Sequence, residues 1–77
     1  MFAANRKSSA PTLTEREQDV LRLLSEGMKN SEMAEKLDVK LRTVETHVAN
    51  LMTKFGSQTR TEVVTQAARH GMVIVEE

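Results

Sequence analysis

Apolar positions along the chain recur at helical rather than strand spacing, in four groups separated by turn-forming residues. The first group is Val20, Leu21, Leu23 and Leu24. Ahead of it, Thr14 and Glu17 stand at the spacing of a capping box, in which each side chain bonds a free backbone N–H at a helix start. Gly27 then ends the first helix. The second group, Met33, Ala34 and Leu37, predicts a short helix capped by Asn30 or Ser31 and followed by a tight turn at Asp38 and Val39. The third helix runs from about Leu41 to Phe55, with Val44, Val48, Leu51 and Phe55 at spacings of four, three and four, and Gly56 closes it. The fourth opens at Thr59, which forms a second capping box with Glu62. Val63, Val64, Ala67 and Ala68 make its buried side, and Gly71 ends it. Residues 72–75 are apolar and are expected to lie back on the core. The β-branched residues keep helical spacing, so no strand is predicted. The expected fold is all-α, four helices with short connections.

Residues 1–12 are small and polar and hold the sole proline, Pro11, so they read as a flexible N-terminal tail or the end of a linker, with the folded domain over 13–77. Seventy-seven residues make one small domain, or part of one, with an economical core. The absence of cysteine excludes disulfides and thiolate metal sites. No apolar run approaches the roughly 20 residues of a membrane span. The charges near the N-terminus have no apolar stretch behind them, so no signal peptide is predicted and the cytoplasm is the expected location. The start of the chain fits a complete small protein and equally a domain cut from a longer regulator at a linker.

Eleven basic and eleven acidic residues cancel, but their distribution is uneven. From residue 39 to 61, Lys40, Arg42, Lys54 and Arg60 face Glu45 alone, a local field of the sign a phosphate backbone attracts. The same stretch belongs to a helix-turn-helix anatomy over residues 30–49. Ala34 is small where two helices must cross closely, Asp38 sits where the turn requires a left-handed residue, and Val39 and Val44 fill the angle between the helices. Such a turn projects the second helix outward so that its N-terminal half can enter a major groove. At 100° per residue, the buried stripe turns Arg42, Thr46, Ala49 and Thr53 directly away, with Glu45 and Asn50 flanking them. Arg42, Glu45, Thr46, Ala49 and Asn50 are therefore the candidates for reading bases. Arg suits guanine, Asn adenine and Glu the cytosine amino group, while Ala49 and the Thr46 methyl suit thymine methyls. Lys29, Asn30, Lys40, Thr43, Lys54 and Arg60 surround that helix and are the candidates for holding phosphates.

The runs Leu13-Thr14-Glu15-Arg16-Glu17, Val20 to Gly27, Asn30 with Glu32-Met33-Ala34, Arg42 to His47 and Leu51 to Phe55 together resemble the LuxR/GerE-type DNA-binding domain. The resemblance covers about Leu13 to Val73. It implies a four-helix fold, binding as a dimer to inverted-repeat promoter DNA, and a role in transcription. That role is usually as the output domain of a two-component response regulator or a quorum-sensing receptor, though some members consist of this domain alone. It also implies that His47 is structural or contacts a phosphate, and that the fourth helix carries the dimer contact. The outward face of that helix is Glu62, Thr65, Gln66 and Arg69, which is polar, so the homodimer is expected to be weak without DNA. RNA polymerase is a further candidate partner. The run Arg-Thr-Val-Glu-x-His at Arg42–His47 resembles a FixJ-like branch of the family. This chain departs from the usual pattern at Lys40, where the family has a capping Ser or Thr. It departs again at Glu45, often Lys, at Val48, usually Arg in the FixJ-like branch, and at Ala49, often basic.

No cofactor is expected. His47 and His70 lie on different helices without a third ligand, so no metal site is predicted. A catalytic triad needs a cleft and an orienting acid in register, which four short helices scarcely provide. Two other readings compete with a DNA reader. One is an interaction module that keeps the fold but modulates another regulator through the fourth helix, favoured by the neutral charge, Glu45 and Ala49. The other is a fragment resembling region four of a sigma factor. Glu45→Lys separates the first of these from a DNA reader. It is expected to shift the sequences enriched from a randomised duplex library if the third helix reads bases, and to leave retention unchanged if it does not.

Overall fold

The computed structural model describes residues 10–74. They form α1 (Glu15–Ser25), α2 (Asn30–Leu37), α3 (Leu41–Phe55) and α4 (Arg60–Arg69), with no strand among the described residues. α3 packs against all three other helices, and α1 also packs against α4. The core between them contains Val20, Met33, Val44, Leu51, Val63 and Ala67, none of which exposes any surface. Val48 and Phe55 complete the predicted α3 stripe as buried residues, and Leu13 joins the core ahead of α1.

Helix ends follow side-chain chemistry closely at some positions and depart from it at others. At α1 the capping box is complete. The Glu17 N–H donates to Thr14 Oγ1 at 3.1 Å, and the Thr14 N–H donates to Glu17 Oε1 at 3.0 Å. At α4 only half of the predicted box forms. Thr59 Oγ1 accepts from the Glu62 N–H at 3.1 Å, but the Glu62 carboxylate turns to the Gln58 N–H at 2.7 Å. The predicted cap of α2 is also displaced. Its N-cap is Lys29, which has no capping side chain. Asn30 is already helical, and Glu32 reaches back to the Lys29 N–H at 2.8 Å. The Asn30 side chain is drawn away by a distant partner, described below.

The turn between α2 and α3 is closed by Asp38 in the left-handed conformation, at φ 58° and ψ 47°. The Asp38 N–H donates to the Glu35 carbonyl at 3.2 Å and the Val39 N–H to the Ala34 carbonyl at 3.0 Å. These bonds satisfy carbonyls that the end of a helix leaves bare. Gly56 performs the same task after α3 at φ 63°, without the crowding of a Cβ. The aspartate therefore carries a conformational cost that the glycine does not.

Val64 and Ala68 were expected on the buried side of α4 but are only half-buried, because the helix turns Val63 and Ala67 more squarely inward. Past α4, Met72 and Val73 pack against the core, whereas Ile74 is 86% exposed. Val75 and the tail residues 1–9 lie outside the described residues.

Asp38→Gly is expected to raise the unfolding free energy by about 1 kcal/mol, the scale of the left-handed penalty for a residue with a Cβ. Asp38→Val is expected to lower it by at least as much. Urea midpoints at constant slope measure both.

Candidate nucleic-acid interface

Burial of the α3 stripe sets what the opposite side of that helix presents. Arg42, Glu45, Thr46, Ala49, Asn50 and Thr53 are all exposed, whereas Thr43 and His47 are half-buried at its edge. The five candidates for base reading thus share one open face. Lys40 is the N-cap of α3, and no side chain caps the helix there. The first turn contains no acidic residue. The partial positive charge of this helix start is therefore uncancelled locally, and Lys40 and Arg42 add to it.

The candidates for phosphate contact divide into two groups. Lys29 and Lys40 are exposed, and no ion pair involves either among the described residues. Lys54 is committed elsewhere. Its ammonium donates to Glu17 Oε1 at 2.6 Å and to the Thr12 carbonyl at 3.1 Å. The expected phosphate contact of Lys54 thus competes with a buried carboxylate that needs a cation. Arg60 and Asn30 meet each other, with Arg60 Nη1 donating to Asn30 Oδ1 at 2.9 Å and Nη2 to the Met28 carbonyl at 2.8 Å. These bonds tie the start of α4 to the start of α2. Both residues thus brace the fold rather than extend outward as free donors. His47 Nδ1 is buried and has no hydrogen-bond partner.

The Glu17 carboxylate is itself almost fully buried, and its pKa lies below the ordinary glutamate range. The Lys54 hydrogen bond lowers it most and the Thr14 N–H adds to that, outweighing desolvation, which acts in the opposite direction.

On α4, Glu62, Thr65 and Arg69 are exposed and Gln66 is half-buried. The outer side of the helix is less polar than these four suggest. Thr61, Val64, Thr65, Ala68 and Arg69 line a shallow depression of about 450 Å³. Thr65 and Arg69 therefore join an apolar strip, whereas Glu62 and Gln66 lie outside it. Sequence reasoning missed this strip because it assigned Val64 and Ala68 wholly to the core. It also missed Leu41, which precedes Val44 by three residues, the spacing of a stripe member, yet is 46% exposed at the first position of α3. No grouping of three or more potential metal ligands occurs among the described residues. No helix among them is long and apolar enough to cross a membrane.

Four short helices in this order, a turn closed by a left-handed Asp38 and a third helix bare along one face define a helix-turn-helix domain of the kind transcription regulators use to bind DNA. The chain belongs to the luxR family of bacterial regulatory proteins, which matches over residues 11–67. The family is one of regulators, not enzymes. Response regulator Rre1 of Synechocystis is 48% identical over 59 residues, which cover 77% of this chain and 26% of that protein. Response regulator protein VraR of Staphylococcus aureus is 39% identical over 61 residues, 79% of this chain and 29% of that one. A Mycobacterium bovis protein named as a candidate HTH-type transcriptional regulator, Mb0914c, is 45% identical over 60 residues, 78% of this chain and 7% of that one. The chain thus spans a small share of the length of these relatives. Among solved structures, the transcription factor GerE superposes with a TM-score of 0.77 at 25% identity, covering 83% of this chain and 96% of GerE. The Vibrio cholerae VqmA–ligand–DNA complex superposes at 0.76 and 34% identity, covering 92% of this chain and 32% of VqmA.

Glu17 lends stability above the ordinary glutamate pKa, and that stability is lost as pH falls through its lowered value. Glu17→Gln is therefore expected to cost about 1.5–3 kcal/mol at pH 7. Thermal melts from pH 7 down to pH 2 are expected to show the gap between variant and parent closing below the ordinary carboxylate range. A gap independent of pH contradicts the assigned role.

Proposed function

We propose that this domain reads double-stranded DNA by seating α3 in the major groove, as one half of a dimer on an inverted repeat, in the control of transcription. The observation that carries this reading is the open α3 face of Arg42, Glu45, Thr46, Ala49 and Asn50, set opposite a buried stripe and beside an uncapped, cationic helix start. Arg42, Glu45 and Asn50 supply the hydrogen-bonding groups for base edges, and Thr46 and Ala49 the small apolar contacts. Lys29, Lys40 and Thr43 hold phosphates from the starts of α2 and α3, and His47 joins them through Nε2, since its Nδ1 is buried. Lys54, Asn30 and Arg60 act by positioning those elements.

The dimer contact falls on the strip of Val64, Thr65, Ala68 and Arg69, with Glu62 and Gln66 at its rim. So small a surface supports only weak association in free solution. Two half-sites about one helical turn apart supply the effective concentration that the interface lacks. VqmA, a LuxR-type receptor, is described as a dimer without its target DNA, which supports a dimer by analogy though not its dependence on DNA. The α4 strip also suits the alternative of an interaction module that grips another regulator. The cytoplasm, where promoter DNA lies, is the location that goes with either reading.

Selection from a randomised duplex library, at low and then near-physiological salt, tests the proposal. Enrichment of an inverted repeat is expected. Weak, salt-sensitive retention without enrichment sinks it in favour of protein partners. On the enriched site, Lys29→Ala and Lys40→Ala are each expected to reduce the salt slope by about 0.9. Asn50→Ala is expected to relax preference at one base pair by about 1–3 kcal/mol with the slope unchanged. Lys54→Met is expected to lower the melting temperature and leave the slope untouched.

A further inference from the structure

Among the described residues two large hydrophobic side chains stand exposed, Leu41 at 46% and Ile74 at 86%. A lone apolar side chain on a surface is ordinary. Leu41 is set apart by its place. It is the first residue of α3, directly after Lys40, whose side chain caps nothing, and directly before the exposed Arg42. No acidic residue lies in that turn. At 100° per residue Glu45 lies about 40° round the helix from Leu41, so Leu41 stands at the margin between the buried stripe and the open face. An apolar side chain bracketed by two cations at the tip of a helix matches a surface that sets anionic groups beside an apolar one. Duplex DNA offers that combination where a thymine methyl projects into the major groove between phosphate walls. A leucine side chain has no hydrogen bond to give, so it contributes only where an apolar partner replaces water.

We propose that Leu41 is a specificity-determining residue that packs on a thymine methyl at one end of each half-site. The proposal rests on the DNA-reading role given above and deepens it by naming the base met by an apolar residue at the start of α3. Leu41 and Ala49 are eight positions apart. That is about 12 Å along the helix axis at 1.5 Å per residue, too far for one methyl group to touch both side chains. The thymine under Leu41 is thus distinct from any met by Ala49.

Deoxyuridine lacks only the thymine methyl, so it isolates this contact. The enriched duplex is remade with deoxyuridine in place of each thymine in turn, and binding is measured for the parent protein and for Leu41→Ala. Alanine is a strong helix former at an exposed position, so the variant is expected to fold, and its melting curve checks this. One thymine near the edge of each half-site is expected to lose about fourfold in affinity on substitution, the equivalent of one buried methyl group. Leu41→Ala is expected to bind the two duplexes equally, and Leu41→Met to retain the difference. An equal loss in the parent and in Leu41→Ala, or no sensitive thymine, overturns the assignment and leaves the DNA-reading proposal standing. Absence of any enriched duplex overturns that proposal and this one with it.

Discussion

The structure depends on one constraint, that α3 must be buried along one side and bare along the other. Val44, Val48, Leu51 and Phe55 meet this constraint by packing against all three neighbouring helices. Each such side chain contributes about 1.5–3 kcal/mol when fully removed from water, and a chain this short has few to spare. The same burial fixes the rotation of α3 about its own axis. No separate device is needed to aim Arg42, Thr46 and Ala49 outward, because the core aims them.

Two polar ties set the placement of the helices. In the first, Glu17 closes the α1 capping box and receives Lys54 from the last turn of α3. Removing two charges from water costs much of what their attraction returns, and Lys54 is still partly exposed. What the pair adds is position. It joins the start of α1, the end of α3 and the Thr12 carbonyl at one ammonium. In the second tie, Arg60 bonds Asn30 and the Met28 carbonyl, so that α4 holds the segment leading into α2. Both ties use cations from the basic stretch, which leaves fewer of them for an external anion than the charge count suggests.

The two outward surfaces differ in chemistry. That of α3 mixes hydrogen-bonding side chains with small apolar ones and begins at an uncapped, cationic helix start. Glu45 and Ala49 keep it low in positive charge, so in the proposed reading affinity draws on Lys29, Lys40 and the helix start itself. The outer strip of α4 is apolar and shallow. It suits a contact that forms only when something else holds two copies together.

The sequence by itself determined the four helices, the α1 capping box, the left-handed Asp38, the glycine stops and the buried stripe of α3. These follow from local chemistry and periodicity, which act within a few residues. It also determined the family, through runs of residues that recur together, and the membership of the open α3 face. Only the tertiary structure decided what Asn30, Lys54 and Arg60 do. Their partners lie 30 or more residues away in the chain, and no local rule reports that a surface cation is needed by a buried carboxylate or a bare carbonyl. It likewise decided that Glu62 turns to Gln58 and that Val64 and Ala68 are left half open. A helical wheel gives the direction of a side chain, but the neighbouring helices decide how far their cover extends.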